Sequence, residues 1–270
     1  MRLVLMLPLL VPAVLGALER LAAPKAELID PVWTERGAVA SVDHAAWGAF
    51  LDRYLTADPV GPNLLDYAAV TAEDRAALDA YLDRLQGIDP ATLARDAQMA
   101  YWINLYNAGT VALVLDHYPI ESIRDIGAGL FEDGPWDRPL FTVKGRRLTL
   151  NDVEHGILRP VHDEPRIHYA VNCAAIGCPD LAPEPWRAAG LEQRLAAAER
   201  SFIDDPRGVR VEDGALVLSK IWLWFRQDFA DSEAALLDRL RRVAGPEAAA
   251  ALAGRDGADA YAYDWSLNAP

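Results

Sequence analysis

The alternation of apolar and polar positions becomes regular at Asp43. In "DHAAWGAFLDRYLTAD" the residues Trp47, Phe50, Leu51, Tyr54 and Leu55 fall on one helical face. In "TAEDRAALDAYLDRLQGI" Leu78, Tyr81, Leu82 and Leu85 repeat that spacing, so two amphipathic packing helices are predicted. Between them "NLLDYAAV", following Pro59 and Pro62, predicts a short strand or extended connector. A longer helix is predicted to begin at Asp89-Pro90, an N-cap residue followed by proline at the first helical position, and to stop before Pro119. From Ala108 to Leu115 this helix is apolar nearly all round, which requires burial on every side.

Further along, "LFTVKGRRLTL" predicts a hairpin turning at Lys144-Gly145, and "GVRVEDGALVLS" a second turning at Asp213-Gly214. "LTLNDVEHGILRP" predicts a short helix ending at Pro160, since Thr149 with Asp152, or Asn151 with Glu154, has the spacing of a capping box. "RIHYAVN" is β-prone. Helices are predicted over "LEQRLAAAERSFIDD", "KIWLWFRQDFAD" and two alanine-rich segments within residues 233–253. Residues 18–41 show no sustained period and read as a flexible lead-in, leaving residues 42–270 as a single domain. Helices outnumber strands and no βαβ alternation appears. The expected class is α+β: a mainly helical single domain whose short β-hairpins form a small antiparallel sheet.

Composition narrows the partners. The chain has 270 residues, 52% of them hydrophobic, enough to close a core without covalent staples. Its 26 basic and 40 acidic residues leave a net charge of -14 with no basic stripe, which argues against nucleic acid. Residues 1–17, MRLVLMLPLLVPAVLGA, combine one positive charge, a short apolar run broken by Pro8 and Pro12, and small residues at the end. This is the pattern of a signal peptide, so the expected location is secreted or periplasmic, with no stable membrane insertion after cleavage.

Candidate chemistry centres on "HYAVNCAAIGCPDL", which holds the only two cysteines, Cys173 and Cys178. They admit four readings: a disulfide permitted by export, a thiol nucleophile, a metal site with His168 and His155, or buried inert thiols. All five histidines precede Cys173, which excludes a thiol protease ordered cysteine first. A permuted papain-like or transglutaminase-like arrangement, with histidine before cysteine, remains compatible. In the buried helix, Asn104 and Asn107 lie three residues apart on one face, with Tyr101 one turn earlier. Such amides either brace the core or orient a catalytic imidazole.

Five segments also resemble one family. "YWINLYNAGTVALVL", "LTLNDVEHGILRP", "PRIHYAVNCAAIGCPDL", "LSKIWLWFRQDF" and "YDWSLN" look like successive blocks of the DUF547 family, a domain of unknown function, from about residue 45 to 268. Ala175 departs from the serine often found there. The resemblance picks out Trp102, Asn104, Tyr106, Asn107, Asn151, Glu154, His155, Arg166, His168, Asn172, Cys173, Gly177, Cys178, Pro179, Lys220 and Trp265. It implies that these segments meet.

The leading expectation is an exported cysteine-dependent hydrolase or transferase acting on amide, peptide or thioester-like bonds of a small-molecule or peptide substrate. Cys173 is its nucleophile, His155 the base, Asn107 or Asn104 the orienter, and Asn172 with nearby backbone N–H groups the oxyanion donors. Tyr101, Tyr106, Asn151, Glu154, Arg166, His168, Cys178 and Lys220 support the pocket. No metal and no cofactor is expected. His168 is the second choice of base, because five residues of strand displace it by about 16 Å from Cys173. The competing expectation is a non-catalytic exported binding or scaffold module in which Cys173 and Cys178 form a disulfide.

Overall fold

The computed structural model describes Glu19 and residues 23–59, 61–127 and 134–270; the signal segment and its cleavage point lie outside them. About half of the chain is helical and its sheets are small, so the class is mixed α+β. The described residues divide into two compact units, one within Ala26–Phe202 with Asp264–Pro270, the other made of Glu19, residues 23–25 and Ile203–Tyr263.

In the larger unit the periodic segments fold as their spacing predicts. Helix α1 (Ala45–Tyr54) buries Trp47, Phe50, Leu51 and Tyr54, and α2 (Ala72–Gln86) buries Leu78, Tyr81, Leu82 and Leu85. The Thr71 side chain caps α2 by accepting the Asp74 N–H at 3.2 Å. Strands β1 (Leu55–Thr56) and β2 (Leu64–Leu65) pair antiparallel between these helices.

Helix α3 (Arg95–His117) begins later than Asp89. Asp89 does act as an N-cap, accepting the Ala91 N–H at 3.0 Å, but of a 3-10 turn at Pro90–Thr92. The reason lies in a strand-like pairing that draws the chain out of helix. Gly37 N–H donates to Leu93 O at 2.9 Å, Val39 N–H to Thr92 O at 3.0 Å, and Ala94 N–H to Val39 O at 2.9 Å. A Cβ at position 37 would collide with the Thr92 carbonyl, so this approach needs Gly37. From Ala97 to Val114 every residue of α3 is buried.

Strands β3 (Phe141–Val143) and β4 (Arg146–Leu148) form the first hairpin, with Lys144 and Gly145 at φ 50° and 72°, the left-handed pair of a tight two-residue turn. Thr149 and Asp152 then close a reciprocal capping box: Thr149 N–H donates to Asp152 Oδ2 at 2.9 Å and Asp152 N–H to Thr149 Oγ1 at 3.0 Å. The helix that follows does not end at Pro160. It runs as a π-helix at Asp152–Leu158 and continues as α4 (Arg159–His162). Arg159 N–H reaches back to Glu154 O, skipping the His155 carbonyl. Pro160 has no N–H to give the Gly156 carbonyl. Both carbonyls instead accept from the lead-in, Glu27 N–H to His155 O at 3.1 Å and Ile29 N–H to Gly156 O at 3.2 Å.

The lead-in is fastened elsewhere as well. Trp33, 1% exposed, meets Trp102 edge-on with ring centroids 5.4 Å apart, and Gln98 Nε2 donates to Glu35 O at 2.8 Å. "RIHYAVN" is not a strand: Pro165–Tyr169 is a 3-10 helix, because the Glu164 carboxylate caps it at the Arg166 N–H (3.0 Å) and also grips the Arg166 guanidinium. Helix α5 (Leu191–Asp204) follows.

The smaller unit contains β5 (Val209–Glu212) and β6 (Ala215–Ser219), an antiparallel hairpin turning through Asp213 and Gly214 at φ 50° and 82°. Strand β7 (Ala260–Ala262) joins β6 in parallel, so the strands form separate small sheets with one parallel pairing instead of one antiparallel sheet. "KIWLWFRQDFAD" breaks at Phe225 into α6 (Lys220–Trp224) and α7 (Arg226–Phe229). Helices α8 (Glu233–Val243) and α9 (Pro246–Leu252) complete the unit.

One buried group makes stability depend on pH. His162 is 2% exposed, neither ring nitrogen has a hydrogen-bond partner, and burial together with the charges of Arg36 and Arg95 lowers its pKa from 6.5 to about 3. Between these values the unfolded chain binds the proton and the folded one does not, so stability falls as pH falls through this window. Removing this one proton equilibrium with His162→Phe is expected to flatten the denaturation-midpoint profile between pH 6.5 and 3, by up to about 1.4 kcal/mol per pH unit.

Candidate active site around the cysteine loop

The two α3 asparagines are spent on backbone. Asn104 Nδ2 donates to Ala100 O at 2.8 Å and Trp186 O at 2.7 Å, while its Oδ1 accepts the Trp186 N–H at 3.0 Å. Asn107 Nδ2 donates to Ala170 O at 2.9 Å and its Oδ1 accepts the Asn172 N–H at 2.8 Å. One helical face therefore clamps two distant loops in the way a strand would, by pairing with a donor and an acceptor of each. Tyr101, on the same face, donates to Leu85 O at 3.0 Å.

Asn172 extends the chain of amides into the cysteine loop. Its Nδ2 donates to Pro179 O at 2.9 Å and its Oδ1 accepts the Ala174 N–H at 2.8 Å, so one side chain ties the loop's two ends. Ala174 takes φ 60°, a left-handed conformation uncommon for a residue with a Cβ. Cys173 and Cys178 form a disulfide with Cα atoms 6.4 Å apart, and neither cysteine is free. The Cys173 N–H also donates to Cys178 Sγ at 3.0 Å. Cys173 is partly exposed; Cys178 is buried at 4%.

The π-helix gathers a second group. Glu154, His155, Arg159 and His168 are all buried. Glu154 Oε1 lies 3.5 Å from His168 Nδ1 and 3.8 Å from His155 Nδ1. Burial pushes the Glu154 carboxyl up, but the charges of His155, His168 and Arg159 and the His168 hydrogen bond outweigh it and hold the group well below the usual carboxylate range. Arg159 Nη1 stands 3.0 Å from His155 Nδ1, and a guanidinium only donates. His155 Nδ1 is then the acceptor and the neutral ring carries its proton on Nε2. His168 has the complementary arrangement, Nδ1 toward a carboxylate, the orientation that places a lone pair on Nε2. The segment holding His168 is a 3-10 helix as far as Tyr169, so the chain leaving His168 is not extended throughout.

The comparisons with known proteins bear on the same segments. Residues 90–203 match the family model described as a protein of unknown function, DUF547. This stretch is similar to that family. No curated protein and no solved structure matches. The DUF547 match runs from the start of the 3-10 turn before α3 into the last turn of α5, and so contains Asn104, Asn107, the Glu154 cluster and both cysteines.

Other residues anticipated for a shared pocket have surroundings of their own. Within the DUF547 match, Asn151 Nδ2 donates to Asp137 Oδ1 at 2.7 Å, and Arg166 is held by Glu164 and Glu192 at 2.6 and 2.7 Å. Tyr106 is buried in α3. Lys220 lies outside the match and in the smaller unit, where it pairs with Glu19 at 2.8 Å. Two features escaped the sequence reading. Arg159, one helical turn after His155, was detectable from its four-residue spacing. A cleft of about 250 Å³, lined by Asn63, Tyr169, Pro179, Trp186, Arg194 and Phe202 among others, was not, because it assembles from four separate segments. Among the described residues no group of three or more His, Cys, Asp or Glu could hold a metal ion.

Asn107→Ala strands the Asn172 N–H and the Ala170 carbonyl in the interior. It is expected to cost about 2 to 4 kcal/mol in chemical denaturation. Arg166→Ala, at a partly exposed ion pair, is expected to cost less than half as much.

Proposed function

We propose that the chain is an exported, DUF547-type binding module, non-catalytic and braced by the Cys173–Cys178 disulfide, with the cleft at Trp186, Tyr169 and Arg194 as its recognition surface for a small molecule or peptide. The observation that carries this reading is where the expected machinery is spent. Cys173 is bonded to Cys178, and Asn104, Asn107 and Asn172 bond to backbone carbonyls and N–H groups. Export is supported by the pattern of residues 1–17 and agrees with a disulfide, which persists in oxidising compartments. Among the described residues no helix is long and apolar enough to cross a membrane.

A second reading rests on a different observation. Glu154 aimed at His168 Nδ1 is the carboxylate–imidazole half of a thiol-hydrolase site. Reduction of the disulfide would supply a Cys173 thiol to it, in a permuted papain-like arrangement.

Two measurements on protein recovered from the exported fraction without reductant separate these readings. Under denaturing conditions a maleimide probe is expected to find no thiol, and two after reduction. Reduced wild type and Cys173→Ala are expected to cleave a chromogenic thioester at the same rate. Thioester cleavage at least about tenfold faster by the wild type would replace the binding reading with the hydrolase.

A further inference from the structure

We propose that the Cys173–Cys178 disulfide is a reversible redox pair that opens by exchange with a dithiol at Cys173 and closes again within the same fold. This goes beyond the binding reading, which requires only that the bond be present.

Three observations carry it. First, hydrogen bonds hold the loop alongside the sulfur–sulfur bond. Asn172 ties Ala174 to Pro179, Cys178 N–H donates to Ala175 O at 3.1 Å, and the closing segment of the chain holds the remainder. In that segment Asp264 O and Ser266 O accept the Gly177 and Ile176 N–H groups, each at 2.8 Å, and Asn268 N–H donates to Ala174 O at 3.1 Å. With six hydrogen bonds setting the backbone, reduction leaves the two sulfurs as neighbours. Reclosure is then an intramolecular reaction between preorganised groups.

Second, the two sulfurs differ in access. Cys173 is partly exposed and Cys178 is buried, so an incoming thiolate meets Cys173. Third, the leaving group is provided for. The Cys173 N–H points at Cys178 Sγ from 3.0 Å, and a hydrogen bond to the charged form stabilises a thiolate.

The exchange balances without further reagents. One thiolate of the dithiol attacks Cys173 Sγ, a mixed disulfide forms, the Cys173–Cys178 bond breaks, and Cys178 departs as the thiolate. The second thiolate of the dithiol attacks its own sulfur in the mixed disulfide and releases Cys173. The dithiol is oxidised by two electrons, the pair is reduced by two, and the two protons of the dithiol end on the cysteines.

The test is a redox titration of the folded protein in reduced and oxidised dithiothreitol without denaturant, read by the mass added on alkylation. Expected are complete reduction and complete reoxidation on a single curve, an unchanged far-UV spectrum, and a Tm lowered by no more than about 8 °C. Opening only in denaturant, or loss of the folded spectrum on reduction, would overturn the proposal. Single variants test direction: in native protein the Cys173 thiol of Cys178→Ala is expected to form a mixed disulfide with oxidised glutathione at least about tenfold faster than the Cys178 thiol of Cys173→Ala. Equal rates overturn the assignment of Cys173 as the point of attack. If a variant does not fold, the wild-type titration still decides reversibility.

Discussion

A buried amide must be paired, and α3 carries three of them, Gln98, Asn104 and Asn107. Asn104 and Asn107 discharge that obligation by taking both a donor and an acceptor from loops far along the chain, Trp186 for one and Ala170 with Asn172 for the other. An unpaired amide here would cost about 1 to 3 kcal/mol, so the loops have little freedom to lie elsewhere. The cysteine loop inherits its position from this requirement. Asn172, clasped by Asn107 through its backbone, clasps Ala174 and Pro179 through its side chain.

The same accounting explains the π-helix. Shifting the Arg159 hydrogen bond to Glu154 O and placing Pro160 next takes the usual i+4 donors from the carbonyls of His155 and Gly156. Residues Glu27 and Ile29 of the lead-in supply them. A Cβ at Gly156 would press against the Ile29 side chain at 2.7 Å, so glycine lets this segment lie close. The distorted helix in turn sets Glu154 toward His168 and Arg159 toward His155, a buried charge group whose members compensate one another.

Disulfide and hydrogen bonds hold one short loop in parallel. Closing so few residues with a covalent link contributes on the order of 2 kcal/mol through the unfolded chain. The amide clasp constrains the folded loop independently of it. With two kinds of restraint on one loop, access to Cys173 and the contact at Cys178 Sγ bear on exchange of the bond more than loop stability does.

Local pattern determined the elements whose causes are local. The faces of α1 and α2, the turns at Lys144-Gly145 and Asp213-Gly214, and the Thr149–Asp152 capping box depend on residues a few positions apart, and all were legible in the sequence. So were the buried amides and the importance of Cys173 and Cys178 as a pair. Tertiary structure decided the rest: the start of α3, set by pairing with Gly37 and Val39; the passage of the helix through Pro160, set by Glu27 and Ile29; and the coiling of Pro165–Tyr169. It also decided that the asparagines bind backbone, since their partners stand 82, 63 and 65 residues away. Periodicity reports which side of an element is buried, but a hydrogen bond is directional and needs the atom that arrives opposite, and only the folded chain supplies that atom.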